Sequence, residues 1–301
     1  MKSAGQEFSS RAASDGAAPR LLTRRKFLAS CALLVGGIAA YMRLIEPEWL
    51  RISHHRVVLR GSEAGRKPLR LLHLSDFHAS DCVPLDFIES AVDLGLSQEP
   101  DLVCLTGDFI SWQYEDWQRY TQILSRLSAR APAFACLGNH DGGPWAASSR
   151  HHGYANANPV RELLAGSGIE LLDNASRQIE VAGRKLRIAG VSDLYNRELH
   201  PEQALPPLSS PAEPTVLLCH NPDAKALLAP YAWDLMLCGH THGGQCQLPL
   251  LGTPFAPVRD KRFVEGLHRW EDRLIHITRG VGNLHGLRFN CRPEVSLLEL
   301  A

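Results

Sequence analysis

Five short polar motifs each begin where an apolar run stops, and this repeated junction constrains the chain more than any other feature. Leu69 to Leu74 leads into Asp76-Phe77-His78, Leu102 to Thr106 into Gly107-Asp108, and Phe134 to Leu137 into Gly138-Asn139-His140-Asp141. Val216 to Cys219 leads into His220, and Leu235 to Cys238 into Gly239-His240-Thr241-His242. Apolar runs this short, bounded by such residues, read as buried strands. Helical spacing fills the gaps over Leu85 to Leu96, Trp117 to Leu127 and Val160 to Leu164. Strands alternating with helices imply βαβ units and a largely parallel sheet, in which ligands bind beyond the carboxyl ends of strands. Five polar strand ends can therefore converge on one site. Ile179 to Val181 and Leu186 to Ile188 read as a hairpin that adds antiparallel pairing, and apolar runs at Leu274 to Thr278 and Val295 to Leu300 close the chain.

The first 50 residues are of a different kind, and the expected boundary puts an N-terminal segment at 1–50 and a catalytic domain at 51–301. A polar, Ser/Ala-rich opening (Met1 to Leu22) precedes Thr23-Arg24-Arg25-Lys26-Phe27-Leu28, and an uncharged stretch then runs to Met42. Twin arginines before a modestly apolar run form the pattern of a twin-arginine export signal. The alternative is an amphipathic or buried N-terminal helix. The run is short beside the ~20 apolar residues of a full span. Ile38-Ala39-Ala40 is only a partial cleavage match, so an uncleaved anchor is the expectation, with Pro47 ending the helix and Trp49 near the interface. Positive charge ahead of the run predicts a body beyond the bacterial inner membrane or in the periplasm, with the export machinery and the membrane as partners.

Charge adds an exclusion. Lys plus Arg and Asp plus Glu both number 32, giving no formal net charge. No stable nucleic-acid partner is expected, because such binding usually needs a basic stripe. The 8 cysteines contain no Cys-x-x-Cys pair, which argues against a disulfide or thiolate-metal framework. Cys104, Cys136, Cys219 and Cys238 lie inside apolar runs and read as small buried hydrophobes.

Singly the motifs say little. A lone His220 would more often be a satisfied core histidine, and a Gly-Asp after a strand is usually a turn. Gly-Asn-His-Asp and Gly-His-Thr-His are more specific, and the ordered set of five resembles the calcineurin-like metallophosphoesterase superfamily over about residues 68–301. The segments 239–245, 278–282 and 287–294 are similar to its bacterial YaeI/YkuE-type phosphodiesterase branch, which is related to enzymes that cleave UDP-2,3-diacylglucosamine.

The resemblance implies an α/β fold, a four-layer αββα sandwich of two mixed sheets. It also implies metal-dependent hydrolysis of phosphodiesters, or of a pyrophosphate in lipid A biosynthesis. One metal is assigned to Asp76, His78, Asp108 and His242, and a second to Asp108, Asn139, His220 and His240. A carboxylate such as Asp108 can bridge two cations, with imidazoles and an amide oxygen filling the other positions. Manganese is the first expectation from the family; iron or zinc suits the same donors. Two cations ~3.5–4 Å apart can hold a bridging hydroxide for in-line attack. His140 is the candidate to protonate the leaving group, and Asp141 either orients His140 or caps the following turn.

Departures from other branches narrow the reading. Phe109-Ile110-Ser111-Trp112 lacks the arginine of protein Ser/Thr phosphatases, and Ser111 stands where purple acid phosphatases place tyrosine. A fold reused only for binding predicts lost ligands, and none is lost. Arg279, Arg288 and His285 are possible phosphate contacts, with ordinary surface pairing the alternative. His151 and His152 read as part of a solvated loop, and Gly243-Gly244 as a close turn beside the site.

Overall fold

The computed structural model describes residues 23–60, 65–210 and 213–301. The polar opening Met1 to Leu22 lies outside the described residues. The chain divides after Ala39 into two compact units, the second being Ala40–Ala301.

In the first unit, α1 (Arg24–Ala40) starts on the twin arginines and buries none of its residues. The helical segment Arg24–Glu48 is long and apolar enough to cross a membrane by length and composition. It is longer than the uncharged run because helical geometry continues past Arg43 to Glu48, with Pro47 inside the last, tighter turn rather than at its end.

In the second unit, two six-stranded sheets are stacked. The first sheet contains β1 (Arg51–Val57), β2 (Leu69–Leu74), β3 (Leu102–Thr106), β4 (Ala133–Cys136) and β5 (Glu170–Leu171). The second begins with the hairpin β6 (Ala175–Val181) and β7 (Arg184–Gly190), then β8 (Thr215–Leu218) and β9 (Leu235–Cys238). It is completed by β10 (Gly266–Trp270) and β11 (Arg273–Ile277), and β12 (Glu294–Leu300) returns to the first sheet. The orders are β1-β12-β2-β3-β4-β5 and β10-β11-β9-β8-β7-β6. Each sheet is mixed: β12 runs antiparallel to β2, and β6 and β10 run antiparallel to their neighbours, while the central strands are parallel.

Facing side chains such as Leu71, Cys104, Phe134, Ile188, Val216 and Leu235 form one core between the sheets. On the outer face of the first sheet lie α2 (Leu85–Leu96), α3 (Trp117–Arg130) and α4 (Asn158–Gly166). Their buried residues recur at three- and four-residue spacing, as in Tyr120, Ile123, Leu124 and Leu127 of α3, the single apolar stripe a surface helix needs. The outer layer of the second sheet is thinner, with α5 (Pro201–Ala204) and short turns around Trp233 and Met236. The four-layer αββα arrangement expected from the sequence is thus present. All eight cysteines are free, and the four within or beside strands are buried.

The inter-sheet core also holds a polar string. His73 Nδ1 lies 3.0 Å from His276 Nδ1, and His73 Nε2 lies 2.8 Å from Thr106 Oγ1. Burial, then the neighbouring His55, pushes His73 down to about 3; burial and His73 push His276 well below its ordinary value. A histidine that binds its proton less readily when folded adds stability above its unfolded pKa, lost as pH falls towards the folded value. Lowering the pH from 7 to 5 should therefore cost ~2 kcal/mol at His73 alone. Thermal melts of chelated protein check this: His73→Asn should flatten the acid side of the profile, and an unchanged slope would contradict the assignment.

Candidate metal centre

Parallel strands bring the motifs together because their carboxyl ends point the same way. From the first sheet, β2 delivers Asp76 and His78, β3 delivers Asp108, and β4 delivers Asn139 and His140. From the second, β8 ends at His220 and β9 at His240 and His242. All seven candidate ligands are buried. They fall into two groups of close donor atoms: Asp76, His78, Asp108 and His242, and Asp108, His220 and His240. Asp108 belongs to both.

The distances show what converges. His78 Nε2 and His242 Nε2 are 3.1 Å apart; Asp108 Oδ2 lies 3.4 Å from the first and Asp76 Oδ1 lies 3.4 Å from the second. In the other group His220 Nε2 lies 3.1 Å from Asp108 Oδ2. Asn139 Oδ1 joins it, 2.8 Å from His240 Nδ1.

Hydrogen bonds at the opposite ring atoms fix these orientations. His220 Nδ1 donates to the Thr106 carbonyl at 2.6 Å, which turns Nε2 towards Asp108. Ser111 Oγ donates to the His78 carbonyl at 3.2 Å and faces His78 Nδ1 at 3.2 Å. The Nδ1–H of His78 can then donate to Ser111, freeing Nε2. Such outer partners set ligand tautomers.

This donor set fits divalent cations. Two neutral imidazole lone pairs cannot face each other without a proton or cation between them. Burial, with Asp108 also repelling it, pushes Asp76 up to about 7. Burial would raise Asp108 as well, but the His220 and His140 rings beside it pull it well below the usual carboxylate range. Buried carboxylates and imidazoles pointed at common centres, with no thiolate among them, form an oxygen and nitrogen site for hard or borderline metals.

The backbone is shaped for this closeness. Asp76, His78, Asp108, His240 and His242 all have φ between 51 and 68°, a left-handed region that costs non-glycine residues energy and clusters at functional sites. Glycine makes room around the shared carboxylate: a Cβ on Gly138 would lie 2.2 Å from Asp108 Oδ1. The segment 278–282 supports Asp76, with Val281 N–H donating to the Ser75 carbonyl at 3.0 Å and Gly282 N–H to that of Asp76 at 2.6 Å.

Several expectations need correction. Asp141 does not hold the His140 ring. Its carboxylate accepts from the N–H groups of Asp108, Phe109 and Gly138 at 2.9, 2.7 and 2.7 Å. His140 is instead oriented by its Nδ1, which donates to the Ser111 carbonyl at 2.9 Å. Arg288 is buried rather than on the surface, and donates to the carbonyls of Arg279 and Cys291 at 2.9 and 3.0 Å. Arg279 pairs with Glu265 at 2.7 Å. Of the three possible phosphate contacts only His285 lines the cavity over the metal centre. His151 is not in a solvated loop; it is half-buried and stacks on Trp145 with ring centroids 3.7 Å apart.

That cavity, about 690 Å³, reaches Asp108, Asn139, His140, His240 and His242 at its floor. Trp112, Trp145, Tyr195, Phe255 and Leu287 make its walls largely apolar, and Arg150 adds a cation. These wall residues come from separate stretches of the chain and carry no motif, so sequence reasoning did not find them.

Comparison with known proteins agrees with this geometry. Residues 69–244 match the sequence profile described as calcineurin-like phosphoesterase. The chain is 41% identical to phosphodiesterase YaeI of Escherichia coli K12, over 93% of this chain and 100% of that one. It is 31% identical to the uncharacterized metallophosphoesterase YkuE of Bacillus subtilis, over 93% and 98%. With the UDP-2,3-diacylglucosamine pyrophosphatase LpxG of Chlamydia trachomatis the identity is 26%, over 84% and 90%.

Proposed function

The chain belongs to the calcineurin-like phosphoesterase family, hydrolases of phosphoric esters, and from that premise we propose that it is a dinuclear metal-dependent phosphodiesterase. The observation that carries this reading is the pair of donor groups sharing Asp108. Asp76, His78, Asp108 and His242 would hold one cation, and Asp108, Asn139, His220 and His240 the other. Manganese is the first candidate for both. When bound, two such ions supply Lewis acidity at the phosphoryl oxygens and an activated water for in-line displacement.

The chain's own groups do the remaining work. Buried Asp108 is the carboxylate that both centres would share, and His220 keeps its Nε2 turned to that side through its bond to Thr106. With His140 Nδ1 donating to the Ser111 carbonyl, the free Nε2 is the atom that can hand a proton to the leaving oxygen or hydrogen-bond a phosphoryl oxygen. Asp141, by holding three backbone N–H groups, keeps the Asp108 and Asn139 loops at a fixed spacing and is a positioning residue. The apolar walls exclude water around the reacting diester.

The test is hydrolysis of bis(p-nitrophenyl) phosphate: it should disappear on exhaustive chelation and return with manganese, and full turnover in chelator would sink the reading. A pyrophosphate such as UDP-2,3-diacylglucosamine is the second reading, favoured by the similarity to LpxG and by the apolar cavity. Release of UMP distinguishes the two.

The twin-arginine segment supports export to the bacterial inner membrane or periplasm, with α1 as an uncleaved anchor. Replacing Arg24 and Arg25 with lysine should leave the chain in the cytoplasm; unchanged fractionation would remove the signal.

A further inference from the structure

The mouth of the cavity is rimmed by exposed hydrophobic side chains. The backbone of Leu248 and Gly252 closes a tight turn through bonds of 2.8 and 2.9 Å, and Leu250 and Leu251 project from its tip, 105% and 73% exposed. Leu250 is held at φ 69°, a conformation that glycine or asparagine adopts more readily. A turn alone would not call for leucine there; the side chain itself is being presented. Phe255, 70% exposed, stands where this loop returns to the cavity, and Leu287 lines the same cavity.

A second apolar group lies against the same lip. Arg288 N–H donates to the Met42 carbonyl at 3.0 Å, and the Arg43 guanidinium donates to the Gly286 carbonyl at 2.9 Å. The turn so fixed exposes Leu44 and Ile45. Exposed Trp49 follows, with the Arg292 guanidinium 4.0 Å above its ring. Phe289 joins both groups, pairing through its backbone with Gln245 and Gln247 at 2.9 and 2.8 Å. Exposed Arg43 belongs to this turn, exposed Arg150 lines the cavity, and exposed Lys261 donates to the Ala256 carbonyl next to Phe255.

We infer that this rim docks on a bilayer containing anionic lipid, and that the site takes a phosphodiester carried by a lipid of that bilayer. The inference rests on the phosphodiesterase reading and names its substrate class. Three features select a bilayer as the occupant. The chain enters the compact body at Ala40, from an apolar helix, through the very turn that forms part of the rim. Cations among the apolar side chains match anionic headgroups, and tryptophan and arginine suit the interface. A strained, fully exposed leucine beside a catalytic mouth fits insertion into lipid. In the reaction, water adds to phosphorus, the bond from phosphorus to the leaving oxygen breaks, and that oxygen takes up a proton while the phosphorylated lipid stays in the membrane.

The test uses the full chain reconstituted in phosphatidylcholine and phosphatidylglycerol vesicles carrying phosphatidyl-p-nitrophenol, with bis(p-nitrophenyl) phosphate as the soluble probe. The double variant Leu250→Asp, Leu251→Asp should lose about tenfold in turnover of the embedded diester, because interfacial binding scales with inserted apolar area. Its soluble turnover should stay within about twofold, since neither residue lines the cavity. Equal turnover of the embedded diester by variant and wild type would overturn the inference, and is what a rim joining two copies would give. Wild-type cleavage of the soluble diester without any of the embedded one would overturn it too. Failure on both diesters would instead strike the phosphodiesterase reading itself.

Discussion

Asp108→Asn should reduce bis(p-nitrophenyl) phosphate turnover about a thousandfold at saturating manganese, because the lost charge serves both proposed centres at once. The substitution is conservative in shape. Asparagine can still accept the His140 N–H that now donates to Asp108 Oδ1 at 2.8 Å, so the fold should persist and the loss should lie in metal retention and kcat. Far-UV circular dichroism and a thermal melt of chelated protein separate the two effects. Turnover near wild type would remove Asp108 from its bridging role.

The second large effect comes from a residue with no chemistry of its own. Gly138→Ala would put a Cβ 2.2 Å from Asp108 Oδ1 and 2.5 Å from its backbone nitrogen. Neither can retreat, because Asp141 ties Gly138 N–H and Asp108 N–H to one carboxylate oxygen at 2.7 and 2.9 Å. A displacement of about an ångström in a catalytic carboxylate costs on the order of a hundredfold. Weaker manganese binding should accompany that loss. Normal metal affinity and turnover in this variant would mean that the loop has slack the structure does not show.

Much of this arrangement is legible in the sequence, and the reason is physical. Central parallel strands are covered on both faces, so β3 and β9 are nearly continuous apolar runs with sharp ends. The Gly-Asp and Gly-His steps that follow mark where the chain turns towards a ligand. Strands at the sheet edge are harder. β1 reads Arg-Ile-Ser-His-His-Arg-Val with alternating burial, and only its parallel pairing with β12, more than two hundred residues away, makes it a strand. β10 is likewise polar and pairs on one side only.

Within the site, the candidate ligands could be chosen by residue type, but their surroundings could not. Aspartate and histidine enter the left-handed region more readily than most residues, but nothing in the sequence shows that Asp76, His78, Asp108, His240 and His242 all do so. Ser111 differs from the tyrosine of one related branch, yet its place between His78 and His140 depends on the turn after β3. Arg288 shows the limit of composition. An arginine is expected at the surface, but the loops at 279–282 and 291 offer a ring of carbonyl oxygens that satisfies a buried guanidinium. That ring braces the segment behind Asp76.

The most direct measurement is the manganese stoichiometry of the purified full-length chain, by elemental analysis after equilibrium dialysis. The account predicts two equivalents per chain in the wild type, and a fall in that number together with turnover in Asp108→Asn. One equivalent in a fully active wild-type protein would contradict the shared-carboxylate centre.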